Sequence, residues 1–264
     1  MASKTATHIL YYNAFSLNST MARYAFALRG ALKPGQSEIT IQGEPLDIGL
    51  KREQLTEHYL VDINPKGEVP VLAPVSGGPT LPDSVEITFK FGEVYEDIIP
   101  ETQAGQIREL LDRLHKLGIF SLTMGPRPGV GAGQTAVLEE KLKGDISDKY
   151  RAALKEKLEQ WTTIKVPSLT KEGQEKSAAD IKAYLGDIDS LLSKSETAWL
   201  LSTTRASALD AHVVPLVARM LDIKQDGLVP ESVAKYAASA MQGQEWNDVM
   251  QGRTTLPPMP PAQK

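Results

Sequence analysis

A small α/β unit followed by an all-helical one is the fold class that this sequence predicts, and three observations predict it. Up to Pro100, short β-prone runs alternate with apolar residues at helical spacing. Within that part, Asn64-Pro65-Lys66-Gly67 stops any helix arriving from the N-terminal side, because Pro65 lacks an amide donor and Gly67 tolerates positive φ. Val69-Pro70-Val71-Leu72 then restarts the chain as a strand with a proline near its first position, one of the few places a strand accepts one. From Glu101 onward the apolar residues fall instead into long stripes of helical period.

Taken in order, Ile9-Leu10-Tyr11-Tyr12 reads as a buried strand. Residues 13–19 form a loop, with Asn18 or Ser19 as N-cap of a helix over residues 20–29 that Gly30 closes. Pro34-Gly35 is a turn, residues 38–42 are β-prone, and a short polar helix is expected over residues 51–60. Val71-Leu72 and Thr80-Leu81, separated by Ser76-Gly77-Gly78-Pro79, predict a hairpin. Asp83-Ser84 caps a helix carrying Ile87, Phe91, Val94 and Tyr95. The order is βαβαββα, and it divides the chain into residues 1–100 and 101–264. In the second part Ile107, Leu110, Leu111, Leu114 and Leu117 make one stripe. Leu138, Leu142, Ile146, Tyr150, Leu154 and Leu158 make another at four-residue steps, and Ile181, Tyr184, Leu185, Ile188, Leu191 and Leu192 a third. Gly129-Val130-Gly131-Ala132-Gly133 lacks the Gly-Lys-Ser/Thr ending of a phosphate loop and follows no strand, so it reads as a flexible loop. Ser207-Ala208-Leu209-Asp210 ahead of the apolar run 211–220 is an acidic capping box. The end, Leu256-Pro257-Pro258-Met259-Pro260-Pro261, cannot be helical and is expected to lie extended.

Composition narrows the chemistry. A net charge of -4 supplies no electrostatic reason to expect nucleic acid. No segment approaches the roughly 20 apolar residues that span a bilayer, and the opening Met1 to Asn13 has no apolar signal region, so a cytoplasmic protein is expected. The absence of cysteine removes disulfides, thiolate metal sites and every protein-thiol mechanism, so that any thiol chemistry must use a thiol brought by a ligand. His8, His58, His115 and His212 are scattered without metal-ligand spacing, and no metal site is expected. The Val69-Pro70 bond, at the mouth of a strand, is a candidate cis peptide.

The run from Asn64 to Leu72 resembles the N-P-x-x-x-V-P-x-L of glutathione transferases, and Leu81-Pro82-Asp83-Ser84-Val85-Glu86-Ile87 resembles their L-x-E/D-S-x-x-I. Ser207 to Asp210 resembles the S/T-x-x-D box of their buried C-terminal helix, a folding determinant there. The resemblance runs from about His8 to Trp246 and is sharpest between Asn64 and Ile87; before the first helix it is to a fungal, nitrogen-regulator-like class. It implies a thioredoxin-like N-terminal domain whose cis-proline loop pairs with the backbone of glutathione, an all-α C-terminal domain, a homodimer, and glutathione as cosubstrate or cofactor.

Each site residue has a chemical reason beside that resemblance. A free thiol near pKa 8.5 is mostly protonated at neutral pH, and a donor at a helix N-terminus stabilises the thiolate. Asn18, then Ser19 and Ser16, are the candidates for that catalytic role. Val69, ahead of Pro70, would offer its backbone to the cysteinyl unit. Ser84 at a helix start suits the γ-glutamyl carboxylate, Asp83 the ligand's ammonium, and Gln54, with Lys51 and Arg52, the glycyl carboxylate. Glu68 departs from the basic or neutral residue common before V-P. Phe15, His115, Phe120 and Met124 are candidates for an electrophile pocket between the domains, with His115 as a proton donor. The expected reaction is addition of the glutathione thiolate to an apolar electrophile. The alternatives are a glutathione-dependent cis-trans isomerase of a conjugated intermediate in fungal secondary metabolism, and a non-catalytic glutathione-binding or regulatory relative.

Overall fold

The computed structural model describes residues 5–125, 127 and 129–257. Strand β1 (His8–Tyr12) lies at the centre of a three-stranded sheet of order β2-β1-β3. It pairs parallel with β2 (Ile41–Pro45), from His8 opposite Ile41 to Tyr12 opposite Pro45, and antiparallel with β3 (Val71–Pro74). A parallel pair needs a crossover connection, which α1 (Leu17–Leu28) supplies. The expected fourth strand is reduced to one bridge, in which Leu72 and Leu81 exchange two hydrogen bonds of 2.9 Å. Helix α2 (Ser84–Val94) completes the α/β part.

The helical part comprises α3 (Ala104–Leu114), α4 (Ile119–Met124), α5 (Val130–Leu142), α6 (Asp148–Gln160), a π turn at Trp161–Lys165, the short α7 (Val166–Ser168), α8 (Lys171–Leu192), α9 (Ala208–Asp222), α10 (Glu231–Ala240) and α11 (Gln244–Met250). Every residue of α9 from Ala208 to Met220 is buried, Asp210, His212 and Arg219 included, so this helix is enclosed on all sides and sits at the centre of the molecule. One core runs from Leu10, Met21, Leu72 and Phe91 through Leu111 and Tyr184 to Leu209, Val213 and Val217. Asp210 is fully buried beneath it. One of its oxygens accepts from the Leu200 amide at 3.0 Å and from the Tyr236 hydroxyl, the other from the Ser207 amide and hydroxyl, both at 2.7 Å. The carboxylate closes the expected capping box on Ser207 and, beyond it, ties the α8–α9 connection and α10 to the start of α9.

Several local expectations are corrected. The N-cap of α1 is Ser16, not Asn18 or Ser19, because its oxygen accepts from the Ser19 amide and the helix starts at Leu17. Gly30 has no positive φ; a Cβ there would lie 2.3 Å from the Glu96 carbonyl oxygen, so it permits a close crossing instead of a left-handed cap. The β-prone stretch pairs three residues later than residues 38–42, where it meets the full length of β1. Residues 51–60 form a 3₁₀ turn (Glu53–Leu55) and the start of a π turn (Tyr59–Ile63), since Arg52 has φ +54° and Thr56 is extended. The stripe from Leu138 to Leu158 is two helices, broken at Gly144 and restarted by the Ser147 cap. Gly129 to Gly133 is no loop: Gly129, at φ +76°, precedes α5, and the Gly131 carbonyl accepts from the Trp161 indole at 3.1 Å. Positions 258–261 of the proline-rich end lie outside the described residues.

Helices α5 and α6 build a second, smaller core. Leu138, Tyr150, Leu154 and Trp161 pack on Leu55 and Leu60, next to the Asn64–Leu72 segment. No helix of the described residues is long and apolar enough to cross a membrane.

Candidate functional site

The site grows from the turn between the π turn and β3. Val69-Pro70 is a cis peptide bond. The carbonyl of Glu68, directly before it, accepts from Tyr59 Oη at 2.7 Å and from Asn64 Nδ2 at 2.9 Å. Gly67 is required at φ +57°, where a Cβ would stand 3.0 Å from the Leu60 side chain and 3.2 Å from the Gln54 carbonyl. These contacts hold Val69 in place while, among the described residues, its own amide and carbonyl make no hydrogen bond. A residue with both backbone groups unpaired, two positions ahead of β3, is what one further strand residue from a ligand needs.

Asp83 is the N-cap of α2, its Oδ1 accepting from the Val85 amide at 2.8 Å and the Glu86 amide at 3.1 Å. The next side chain is buried differently. Ser84 is 2% exposed, and its hydroxyl oxygen is shut from solvent without a partner. The Oε1 of Gln54 is also shut away unpaired, while its Nε2 donates to the Ile48 carbonyl at 3.2 Å. A buried polar atom left in this condition costs about 1–3 kcal/mol. The two other such atoms among the described residues are nitrogens of Arg23 and Arg253, whose guanidinium groups bond through other nitrogens. Ser84 and Gln54 are thus the neutral side chains in this state, and both are residues that the sequence assigns to a ligand.

The β1–α1 loop faces a separate question, the thiol. Ser16 is half-buried; its oxygen accepts from the Ser19 amide at 3.4 Å, which leaves the hydroxyl proton free at the start of a 12-residue helix. Ser19 is fully enclosed, and its oxygen takes the Asn13 amide at 3.3 Å. Asn18 is exposed in the first turn. Sequence reasoning missed the group that holds this loop. Arg219 of α9, buried, donates to the Phe15 carbonyl at 2.7 Å, to Thr255 Oγ1 at 2.9 Å, to the Thr255 carbonyl at 2.7 Å and to Thr123 Oγ1 at 3.4 Å. Burial pushes its guanidinium down to about 10, with Asp222 opposing the shift. One arginine inside the apolar run 211–220 was the available signal.

The four electrophile-pocket candidates have different surroundings. No hydrogen bond or ring contact joins them to one another among the described residues. The Phe15 carbonyl is held by Arg219, Phe120 packs edge-on against Trp161 at 5.8 Å, and Met124 ends α4. His115 caps the C-terminus of α3, and its Nε2 bonds His212 Nδ1 at 2.9 Å. Burial lowers the pKa of His115, while Asp83 and Asp112 oppose that shift.

Helices α5 and α6 close over the other side of the cis-proline turn. Lys157 is buried and donates to the Lys66 carbonyl; Ser147 bonds Glu57, Tyr150 Oη donates to the Leu55 carbonyl, and Arg52 donates to Gln134. Glu68, the departure from the common pattern, lies 3.8 Å from Lys157 and 3.7 Å from Lys165, so its charge is balanced inside the chain. Burial lowers the Lys157 pKa, with Glu68 opposing. Among the described residues no cluster of three or more His, Cys, Asp or Glu could hold a metal.

A small mixed sheet with a cis-proline turn and a capped helix beside it, followed by a helical part built around one buried helix, defines the glutathione transferase fold, and this chain has it. A glutathione transferase from Populus trichocarpa superposes with a TM-score of 0.62 at 15% identity, over 93% of this chain and 98% of that one. The β-etherase of Sphingobium sp. strain SYK-6 superposes at 0.64 and 16% identity, over 93% and 99%. A maleylacetoacetate isomerase from Methylobacterium extorquens AM1, with bound malonate and glutathione, does so at 0.59 and 18% identity, over 96% and 100%. At these identities the likeness is one of fold. No family model and no curated protein matches the sequence.

Proposed function

We propose that this chain is a glutathione-dependent transferase acting on an apolar electrophile. The observation that carries the reading is the unpaired, solvent-excluded hydroxyl of Ser84 at the first turn of α2, adjoining the Asp83 cap. The Val85 and Glu86 amides are taken by the Asp83 side chain and the Ile87 amide by its carbonyl, which leaves the Ser84 amide and hydroxyl, with the helix dipole, as the seat for a carboxylate. In this reading Asp83 takes the ammonium of the same γ-glutamyl unit, Val69 pairs with the cysteinyl backbone, and Arg52 takes the glycyl carboxylate together with the second Nε2 proton of Gln54, whose unpaired Oε1 can only accept from an N–H of the ligand. The ligand's thiol supplies the nucleophile. Of the three loop residues proposed to stabilise it, Ser16 is best supported, because its hydroxyl proton is free at the helix start; Asn18 follows, and Ser19 is enclosed.

Isomerisation of a conjugated substrate is the second reading, favoured by the four hydrogen bonds that fasten α5 and α6 beside the cis-proline turn. An isomerase must keep its adduct until the carbon–sulfur bond breaks again, and an enclosed site does that. We further take the protein to be a cytoplasmic homodimer of fungal type, by resemblance and because twofold homodimers are the commonest assemblies; light scattering measures the mass.

Calorimetry with glutathione is the direct test. Binding between micromolar and millimolar, roughly -4 to -8 kcal/mol, is expected; no heat at millimolar ligand would remove the reading. Glutathione consumed per turnover with a conjugated alkene separates the two reactions. One consumed per product means transfer, and rearranged product with glutathione recovered means isomerisation.

A further inference from the structure

A chain of hydrogen bonds runs from the helical part into the first turn of α2, through Thr88 and His212, which were given no role above. Thr88 Oγ1 lies 2.8 Å from the Ser84 carbonyl and 2.9 Å from His212 Nε2; His212 Nδ1 lies 2.9 Å from His115 Nε2. Thr88 and His212 are fully buried.

Proton accounting fixes every donor. A carbonyl only accepts, so the single hydroxyl proton of Thr88 goes to Ser84. Thr88 must then accept, and His212 Nε2 carries the proton between them. A neutral imidazole has one N–H, so His212 Nδ1 accepts, and His115 Nε2 donates to it. A proton added to His212 would set two N–H groups against each other. The atom at which the chain takes an extra proton with every bond intact is His115 Nδ1. Because the other end is a carbonyl, the chain conducts no proton, and its effect is positional. The groups acting on His115 are Asp83 from α2, Asp112 from α3 itself and His212 from α9. The burial that lowers both histidines keeps the chain neutral near pH 7.

We propose that His212 is a positioning residue that holds the first turn of α2 in its ligand-binding shape, and that proton uptake at His115 weakens the ligand's amino end by setting a second cation beside Asp83. The inference rests on the assignment of the Asp83-Ser84 turn to the γ-glutamyl unit. S-methylglutathione is the probe, since it has no titrating thiol and its carboxylates stay ionised between about pH 5 and pH 7.5.

Calorimetry on the whole chain should show its affinity falling several-fold from about pH 7.5 to about pH 5. His115→Gln, which retains an N–H donor toward His212 without a titrating ring, should give an affinity that does not change with pH. Thr88→Val, of similar volume, should bind several-fold more weakly at all pH values while keeping the parent's pH slope. Nitrogen-15 shifts of the histidine rings give a readout independent of binding: His212 should be the Nε2–H tautomer throughout. A flat parent profile, a His115→Gln profile that still slopes, or an Nδ1–H tautomer at His212 would overturn this inference alone. Absence of binding at the upper pH would overturn the glutathione reading as well.

Discussion

Replacing Ser84 by alanine should make the free protein more stable and the complex weaker, two effects of opposite sign from one oxygen atom. In the free chain the hydroxyl is 2% exposed and unpaired, so its removal relieves about 1–3 kcal/mol of desolvation cost. Alanine also exceeds serine in helix propensity by roughly 0.5 kcal/mol. A cavity of one oxygen offsets part of this, leaving a net gain of about 1–2 kcal/mol. For a chain of this length each kcal/mol moves the melting temperature by about 2–4 °C. In the complex the lost bond is one to a carboxylate, worth about 1.5–3 kcal/mol, or roughly a 10- to 150-fold rise in Kd. Differential scanning calorimetry of the ligand-free variant and titration calorimetry with glutathione measure the two halves. A hydroxyl that served only to cap α2 would give a less stable variant. That result, or unchanged affinity beside higher stability, would refute the reasoning from the unpaired oxygen.

Asp210→Ala removes the acceptor of the Leu200 and Ser207 amides and of the Tyr236 hydroxyl. With the Ser207 hydroxyl these make four buried donors at about 1–3 kcal/mol each, so urea denaturation should show a loss of at least about 4 kcal/mol or failure to fold. His115 and His212 both have pKa values lowered by burial, so the unfolded chain binds more protons than the folded one below about pH 6.5. Their stabilisation is full above that pH and is lost as the pH falls, by about 1.4 kcal/mol per unit for each ring kept neutral; denaturation midpoints at about pH 7 and about pH 5.5 measure it. The ultraviolet absorbance of bound thiolate should titrate below the free-thiol range. Ser16→Ala should move that titration back by about one unit, or roughly 1.4 kcal/mol. Should Asn18→Ala do so instead, the donor is Asn18; should no loop variant do so, the chain binds glutathione without activating it.

What the sequence revealed was mostly local. Pro70 before a strand, Asp83 two residues ahead of the Val85 amide, and Ser207 with Asp210 are short-range chemistry, and each does in the structure what its spacing implies. The wrong N-cap for α1 shows where such reasoning stops. Ser16, Asn18 and Ser19 are all acceptable caps, and the choice is made from outside, by Arg219 holding the Phe15 carbonyl and by the Asn13 amide taking Ser19. Gly129 to Gly133 has poor helix propensity, yet it is helical from Val130 because the Trp161 indole bonds the Gly131 carbonyl across 30 positions. The candidate site divides in the same way. Asp83 and Ser84 were legible as residues, but that the Ser84 oxygen has no partner, or that His115 meets His212, is a property of packing between distant segments.

The guanidinium of Arg219 gives the end of the chain an importance that chain ends seldom have. Two of its four hydrogen bonds go to Thr255, and a third goes to the loop that precedes Ser16. Cutting the chain before Thr255 would leave a buried cation with half its acceptors, and one of the two that remain is the Phe15 carbonyl of the loop leading into α1. Chain ends are the customary place for purification tags and trial truncations because they are usually spectators. Here a truncation that removed Thr255 would be felt in the loop before α1, some 240 residues away, and an inactive preparation shortened past Thr255 would say nothing about the chemistry of the intact protein.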